Sequence, residues 1–213
     1  MFVHSFIFGY FQENTYIIWD KTKECIIIDP GNTTPDEDKM LFSFIEQNHL
    51  KPVRLLLTHG HLDHIAGNDA VFSKYQLLPE VHKEDLFLIQ SHELTAKMYG
   101  IPCIPSPLPE KFINDGDVIK FGQSELLCIH TPGHSPGSIT YYSKKDGFAI
   151  AGDVLFYESI GRTDLPKGDF EVLSYSIQKK LYTLPDSTII YSGHGPSTTI
   201  AHEKKYNMFV REK

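Results

Sequence analysis

The chain has 213 residues, of which 41% are hydrophobic and 22% are charged, and its formal net charge is −7 at pH 7. This composition is typical of a globular protein and excludes a mainly disordered chain. The acidic excess disfavours a nucleic-acid partner, because such binding depends on neutralising phosphates with lysine and arginine. No stretch approaches the roughly 18 apolar residues of a membrane span, and the N-terminus lacks a signal-peptide pattern. We therefore expect no membrane association and a cytoplasmic location.

The first half of the chain is predicted to alternate short strands with helices. Three β-rich runs open it, with the sequences FVHSFIF, NTYIIW and ECIIID. A helix from Pro35 to Leu50 follows, because its apolar residues fall on one stripe, and the apolar run VRLLL then predicts a buried strand. Next come a short helix (IAGNDAVFSKY), a strand (LPEVH) and a helix from Lys83 to Tyr99. The proline-rich run IPCIPSPLPE is a loop, since proline sustains neither a helix nor a strand ladder.

The second half repeats this pattern of strands and helices. Its predicted strands have the sequences DVIKFG, SELLCIH, SITYYS, GFAIAG and STIIYS. The helix before the last strand has an apolar stripe at helical spacing, which we expect to be buried: Phe170, Leu173, Ile177 and Leu181. Two strand-rich halves with interposed helices predict an α/β fold, an αββα sandwich in which two mixed sheets pack together between flanking helices. No linker or repeat interrupts the chain, so we expect a single domain over residues 1–213.

Metal-binding side chains are concentrated directly after the apolar run Leu55 to Leu57. The segment THGHLDH that follows places three histidines and an aspartate within six residues, from His59 to His64. Imidazole is the most common transition-metal ligand, and carboxylates complete sites for zinc, iron or manganese. Ordinary loop polarity explains one or two of these residues, but not all four. The segment therefore predicts a metal site.

Three further apolar runs end in the same way. SELLCIH leads to His134, GFAIA leads to Asp153, and STIIY leads to His194. Ligands at the same end of neighbouring strands can converge on one point, and the adjacent glycines let the backbone pass close by. Seven candidate ligands exceed the four that one tetrahedral metal takes. The pattern therefore predicts two divalent cations that share a bridging carboxylate.

The motif His-x-His-x-Asp-His, followed in order by Gly-His, Gly-Asp and Gly-His, resembles the metallo-β-lactamase superfamily over nearly the whole chain. The resemblance implies the αββα fold and two divalent cations, with zinc preferred over iron or manganese. By this resemblance one cation is bound by His59, His61 and His134. The other is bound by Asp63, His64 and His194, and Asp153 bridges the two.

Within the superfamily, the segments GHSPGS, GRTDLPKGDF and GHGPSTTIAHEKKYNMF are most similar to short, single-domain, hydroxyacylglutathione hydrolase-like relatives of glyoxalase II. This similarity implies a small-molecule thioester of the S-lactoylglutathione type as substrate. It also implies a metal-bridging hydroxide as nucleophile, with Asp63 and Asp153 as catalytic residues. Glyoxalase II itself has a C-terminal helical domain that helps to hold glutathione. Few residues follow His194, so we expect no such domain here, and the thiol carrier and the oligomeric state stay open.

The loop SIGRTDLPKGD holds two candidate substrate contacts. Arg162 and Lys167 could receive a substrate carboxylate, although Arg162 could instead pair with Asp164, the alternative that we favour. Asp29, at the end of ECIIID, either supports a ligand histidine or closes a turn. The remaining histidines have no partner at ligand spacing, and we interpret them as surface or core residues: His4, His49, His82, His92, His130 and His202.

Other functions compete with thioester hydrolysis. A persulfide dioxygenase shares the fold and a similar GRTD loop, and would hold a single Fe(II) with His59, His134 and Asp153. A catalytically silent metal-binding module is disfavoured by the complete set of seven ligands. Lactamases proper often place cysteine where this chain has Asp153, which disfavours antibiotic hydrolysis. RNA processing by a relative of this fold is disfavoured by the acidic charge.

Overall fold

The computed structural model describes residues 1–211, which form two six-stranded mixed sheets. The strands of the first sheet, in chain order and also in sheet order, are β1 (Phe2–Phe8), β2 (Glu13–Trp19), β3 (Glu24–Ile28), β4 (Lys51–Leu56), β5 (Pro79–Val81) and β6 (Lys111–Phe112). β1 to β3 pair antiparallel, whereas β3 to β6 pair parallel. The parallel half of this sheet explains why the leucines of VRLLL are fully buried, since such strands are covered on both faces. Arg54 of the same run pairs with Glu80 of β5.

The second half of the chain supplies the remaining strands. They are β7 (Val118–Phe121), β8 (Ser124–His130), β9 (Ile139–Ser143), β10 (Phe148–Gly152), β11 (Leu155–Phe156), β12 (Ser159–Ile160), β13 (Ile189–Ser192) and β14 (Thr198–Thr199). The second sheet has the order β14-β13-β10-β9-β8-β7, while β11 and β12 pair only with each other. Within this sheet only β10 and β13 pair parallel. Both sheets are therefore mixed, as predicted.

Helices cover the outer faces of the two sheets. They are α1 (Pro35–Gln47), α2 (Leu62–Ile65), α3 (Asn68–Tyr75), α4 (Leu86–Gln90), α5 (His92–Tyr99), α6 (Phe170–Lys179) and α7 (Ile200–Tyr206). Leu41 of α1 and Val71 of α3 pack on the first sheet. Leu173 of α6 and Ile200 of α7 pack on the second. The predicted αββα sandwich is confirmed.

The main core lies between the two sheets. Ile28 and Leu56 from the first sheet pack in one buried cluster with Tyr141 and Ile150 from the second. The Tyr141 hydroxyl donates a hydrogen bond to the Leu57 carbonyl at 2.5 Å. This bond satisfies a polar group that would be costly to bury alone. It also ties the two sheets together at the end where β4 leaves its sheet.

The stripe of α6 allows a stability prediction. Leu173 and Ile177 are fully buried, whereas Val172 of the same helix is 40% exposed. We expect Leu173→Ala to lower the free energy of unfolding by about 2–5 kcal/mol, because it removes buried methyl groups and leaves a cavity. Val172→Ala is the matched control and should change stability by less than about 0.5 kcal/mol. Denaturant unfolding of the two variants measures the difference, and equal values would contradict the assigned packing.

Several predicted helix boundaries are wrong for identifiable reasons. α1 ends at Gln47 and not at Leu50, because the chain leaves the helix at His49, whose φ is +55°. The predicted helix from Lys83 to Tyr99 is broken into a 3-10 turn, α4 and α5. At the second break the Ser91 hydroxyl donates to the Leu88 carbonyl at 3.1 Å, a local bond that competes with helix continuation.

Three more differences concern the ends of elements. The run IAGNDAVFSKY is not one helix, since Gly67 separates α2 from α3 and its N–H donates to the Pro30 carbonyl at 2.7 Å. Phe170 was predicted to be buried but is 41% exposed, because it is the first residue of α6. α7 was not predicted. It begins after Thr199, whose hydroxyl accepts a hydrogen bond from the His202 N–H at 3.2 Å.

Three predictions concern the organisation and location of the chain. Among residues 1–211, the structure contains no helix with the length and apolarity that a membrane crossing requires. The single domain over residues 1–213 stays a prediction, and its last two residues lie outside the described part of the chain. The cytoplasmic location also stays a prediction.

Candidate metal centre

Four strands end at one edge of the sandwich, and the segments after them carry the predicted ligands. β4 of the first sheet and β8, β10 and β13 of the second are these strands. The structure places all seven side chains at this edge: His59, His61, Asp63, His64, His134, Asp153 and His194. Their convergence follows from the shared direction in which the strands end. Their role as metal ligands stays a prediction.

The first histidine group consists of His59, His61 and His134, each of which has a ring nitrogen within 4.8 Å of one ring nitrogen of each of the others. The Nε2 atom of His134 lies 2.8 Å from Nδ1 of His61 and 3.2 Å from Nε2 of His59. The Nδ1 atom of His134 donates to the Arg162 carbonyl at 2.7 Å. The Nδ1 atom of His59 lies 3.1 Å from the Thr58 hydroxyl. These outer contacts fix the rings so that lone pairs point inward, the arrangement found at metal-ligating histidines.

The second group consists of Asp63, His64 and His194, which also lie within 4.8 Å of one another. Nε2 of His194 is 3.1 Å from Oδ2 of Asp63, and Nε2 of His64 is 3.7 Å from the same oxygen. The Nδ1 atom of His194 lies 3.3 Å from the Gln12 carbonyl. Two imidazoles and one carboxylate therefore face a common point from α2 and from the loop after β13.

Asp153 lies between the two groups. Its Oδ1 is 3.4 Å from Nε2 of His64. Its Oδ2 is 3.5 Å from Nε2 of His134 and 3.6 Å from Nε2 of His194. One carboxylate thus faces a residue of the first histidine group and two residues of the second group, which is the position that a bridging ligand needs.

Three buried atoms of the candidate ligands make no hydrogen bond within the described residues. They are Nε2 of His61, Nε2 of His64 and Oδ1 of Asp153. A buried polar atom without a partner costs free energy, and imidazole nitrogen and carboxylate oxygen are the donor atoms that zinc, iron and manganese accept. The donor set and these three atoms fit a pair of divalent cations.

The protonation of the first histidine group also suits metal binding. Burial, together with the neighbouring imidazoles, holds the pKa of His59 well below its usual value. Burial and the adjacent His134 lower the pKa of His61 to about 3. Both side chains are therefore neutral at pH 7, the form in which imidazole binds a metal.

In the second group, neighbouring carboxylates determine the direction in which the pKa of the buried histidine is shifted. Burial lowers the pKa of His64, but the negative charges of Asp63 and Asp153 outweigh that effect and raise it well above its usual value. Burial raises the pKa of Asp153, but His64 and the other neighbouring imidazoles outweigh it and hold that pKa well below its usual range. The carboxylates thus attract positive charge strongly at this point.

Asp29 contacts a candidate ligand histidine, as in one of the two roles that the sequence left open. Its Oδ1 accepts from the Thr58 N–H at 2.6 Å, and its Oδ2 lies 3.0 Å from Nδ1 of His64. This contact orients the His64 ring so that Nε2 faces Asp153. The backbone at Asp29 has a φ of +49°, which directs its carboxylate toward the loop after β4.

The two candidate substrate contacts have partners within the protein. Arg162 makes a two-pronged ion pair with Asp164, with Nε–Oδ1 and Nη2–Oδ2 distances of 2.7 and 2.6 Å. The favoured pairing of Arg162 is therefore present. The Lys167 ammonium lies 3.9 Å from the centre of the Phe87 ring. Contact of either residue with a substrate stays a prediction.

One interpretation of the remaining histidines is wrong. His82 and His130 were assigned no partner at ligand spacing, but their rings stack with centroids 4.3 Å apart, and both lie within ligand spacing of Glu84. The sequence did not show this pair because the two residues follow strands of different sheets. His202 contacts Glu158 at 3.0 Å.

A cleft of about 440 Å³ borders the second group at Asp63. It runs between the turn that carries Phe11, helix α3 and the proline-rich loop near Cys103. The ring of Phe11 meets the edge of Tyr99 across this region, with centroids 5.7 Å apart. The proline-rich segment predicted as a loop thus forms one wall of a cleft that opens onto Asp63.

The sequence gives no signal for Asp85, a buried residue at the centre. Asp85 accepts hydrogen bonds from the Gly60 N–H at 2.9 Å and from the Gly137 N–H at 2.6 Å. In the run HKEDLF it looks like an ordinary acidic residue in the first turn of a helix. Nothing in the local pattern shows that its side chain is buried.

Comparisons with known proteins agree on one family. The sequence model of a family described as the metallo-beta-lactamase superfamily matches residues 8–194. The hydroxyacylglutathione hydrolase GloC of Haemophilus influenzae is 41% identical over 207 residues, which cover 95% of each chain. The crystal structure of BLEG-1, described as a B3 metallo-beta-lactamase, is similar with a TM-score of 0.90 and 34% identity, covering 98% of this chain and 99% of that one. The structure of TTHA1623 in a di-iron-bound form has a TM-score of 0.87 and 33% identity, with coverages of 97% and 99%.

Proposed function

Because the chain belongs to the metallo-β-lactamase superfamily, we propose that it is a metal-dependent hydrolase that cleaves a small-molecule thioester of the S-lactoylglutathione type. The 41% identity to GloC over almost the full length of both chains supports this choice of substrate class. The likeness to TTHA1623 in its di-iron-bound form supports a centre for two cations. We propose zinc as the resident metal, with iron or manganese as alternatives.

The position of Asp153 carries the proposal. Its two oxygens face His64 on one side and His134 and His194 on the other. We assign the first histidine group to one cation, the second group to the other, and Asp153 to both. When bound, such a cation pair lowers the pKa of a shared water and polarises the carbonyl of the substrate.

The residues of the chain perform three tasks in this proposal. Asp153 keeps the two groups of ligands at a fixed separation. Asp63, which borders the cleft, orients the attacking water or accepts its proton. The cleft beside Phe11 and Tyr99 holds the substrate and limits the access of bulk water. No general acid is assigned, because a thiolate leaves readily without a proton.

Thiol release by the purified, metal-loaded protein tests the proposed function. We expect turnover of S-lactoylglutathione or a related thioester, and loss of that turnover after treatment with a chelator, since the ligands alone do not activate water. A β-lactam substrate belongs in the same assay because of the likeness to BLEG-1. If every thioester tested stays intact, the proposed function is wrong, and rapid β-lactam cleavage would replace it.

A further inference from the structure

A single buried carboxylate, that of Asp85, connects the two loops that carry the first histidine group. Asp85 ends a 3-10 turn, Lys83–Asp85, and is fully buried. Its Oδ2 accepts from the Gly60 N–H at 2.9 Å and from the Ser135 hydroxyl at 2.7 Å. Its Oδ1 accepts from the Gly137 N–H at 2.6 Å. Both oxygens are therefore used, and all three donors belong to loops and not to regular elements.

Two of the three donors lie beside a candidate ligand in the sequence, and the third, Gly137, lies three residues after His134. Gly60 lies between His59 and His61, and Ser135 directly follows His134. The loop after β4 belongs to the first sheet, while the loop after β8 belongs to the second. Asp85 thus links the two sheets at the point where their histidines meet.

The glycines of these loops pack closely against Asp85. A Cβ atom on Gly137 would lie 2.6 Å from the Asp85 carboxyl carbon. A Cβ atom on Gly60 would lie 3.0 Å from the Asp85 carbonyl oxygen and 2.9 Å from Leu88. Only glycine lets the backbone N–H groups approach so closely. The close approach allows both bonds to the charged acceptor, and the bond from Gly137, at 2.6 Å, is the shorter of the two.

Keeping a carboxylate in this buried place opposes stability. Burial raises the pKa of Asp85, and the bonds from Ser135, Gly60 and Gly137 act in the opposite direction. A fold that needed only to fill this space would do so at lower cost with an apolar residue. The carboxylate of Asp85 is instead used to accept hydrogen bonds from the three donors, beside the imidazoles of the first histidine group.

We propose that Asp85 is a positioning residue, which holds His59, His61 and His134 at metal-binding spacing by joining the two loops that carry them. Asp85 itself does not contact a cation or the substrate. The inference rests on the ligand assignment in the proposed function, but it is independent of which substrate is cleaved.

Asp85→Asn is the direct test, because it keeps the shape and replaces one acceptor oxygen by an NH₂ group. Whichever way the amide turns, one backbone N–H loses its acceptor and meets a donor. We expect the affinity for one of the two cation equivalents to fall by about 10- to 100-fold, the usual effect of losing an outer hydrogen-bond partner of a metal site. Titration with Zn²⁺ against a competing chelator measures this affinity. With Co²⁺, the visible absorption of the folded protein should also change, since it reports ligand geometry.

Asp20→Asn is the matched control. Asp20 is also a buried carboxylate that joins two loops, since it accepts from the N–H groups of Thr22 and Gln123 at 2.8 and 2.6 Å. Neither of those loops carries a candidate ligand. This variant is expected to lose stability while keeping wild-type Zn²⁺ affinity and Co²⁺ absorption, so a general loss of stability cannot mimic the expected result.

Ser135→Ala provides a second variant, which removes one donor and keeps the carboxylate. We expect Zn²⁺ affinity to fall by less than in Asp85→Asn. If Asp85→Asn does not fold, the result for Ser135→Ala tests the positioning role of Asp85. Wild-type Zn²⁺ affinity and unchanged Co²⁺ absorption in the folded variants would overturn the positioning role while leaving the proposed function intact. If the wild-type chain binds neither ion, the ligand assignment fails and the inference fails with it.

Discussion

Asp153→Ala is expected to lower thioester hydrolysis by at least about 10²-fold. The side chain faces both groups of candidate ligands, with contacts of 3.4 to 3.6 Å to His64, His134 and His194. Its loss removes negative charge from a centre where a cation supplies several kcal/mol of charge stabilisation to the reaction. Each tenfold in rate corresponds to about 1.4 kcal/mol, so a partial loss of that stabilisation is enough for the expected effect.

Initial rates of thiol release, with metal content measured on the same samples, check this result. The matched control is Asp186→Ala, which removes an exposed carboxylate whose partner is Lys204 at 2.8 Å. Surface ion pairs of this kind contribute little, so the control should keep both activity and metal. The Asp153→Ala variant should still unfold cooperatively, because the strands of the core do not depend on Asp153. Near-wild-type turnover in a folded Asp153→Ala protein would remove this residue from the reaction.

The double variant His64→Ala plus His194→Ala separates hydrolase from dioxygenase. Both residues belong to the second group, and in the hydrolase both hold the second cation. Their removal should lower thioester hydrolysis by about 10²-fold or more, given the charge stabilisation that one cation supplies. A mononuclear iron dioxygenase needs only two histidines and one carboxylate. With His59, His134 and Asp153 intact, such an enzyme would keep its iron and much of its rate.

Oxygen uptake with glutathione persulfide, measured beside thiol release from the thioester, distinguishes the two enzymes. We expect the double variant to lose hydrolysis and neither protein to consume oxygen. His4→Ala plus His202→Ala is the control, because it removes two histidines that lie outside both groups. Rapid oxygen consumption by the wild type that persists in the double variant would establish the dioxygenase in place of the hydrolase.

The sequence predicts the architecture well because the two sheets are built from apolar runs with clear boundaries. Runs such as ECIII and FAIAG are buried at nearly every residue, and turn residues separate them. The residues of the site could be predicted for a related reason. Each candidate ligand follows a strand within a few residues, so the end of the strand determines where the side chain lies.

The features that the sequence does not predict depend on contacts between distant segments. His82 and His130 meet only because strands of different sheets end side by side. Asp85 is buried through bonds to two loops that begin far away along the chain. Local periodicity carries no information about such pairings.

Metal content tests the central claim most directly, since the account requires two cations for each chain. Elemental analysis of protein expressed with ample metal should give about two equivalents of zinc, iron or manganese, bound by the first histidine group, the second group and Asp153. Asp153→Ala should retain less than the wild type. A single tightly held equivalent under every loading condition would contradict the two-cation centre.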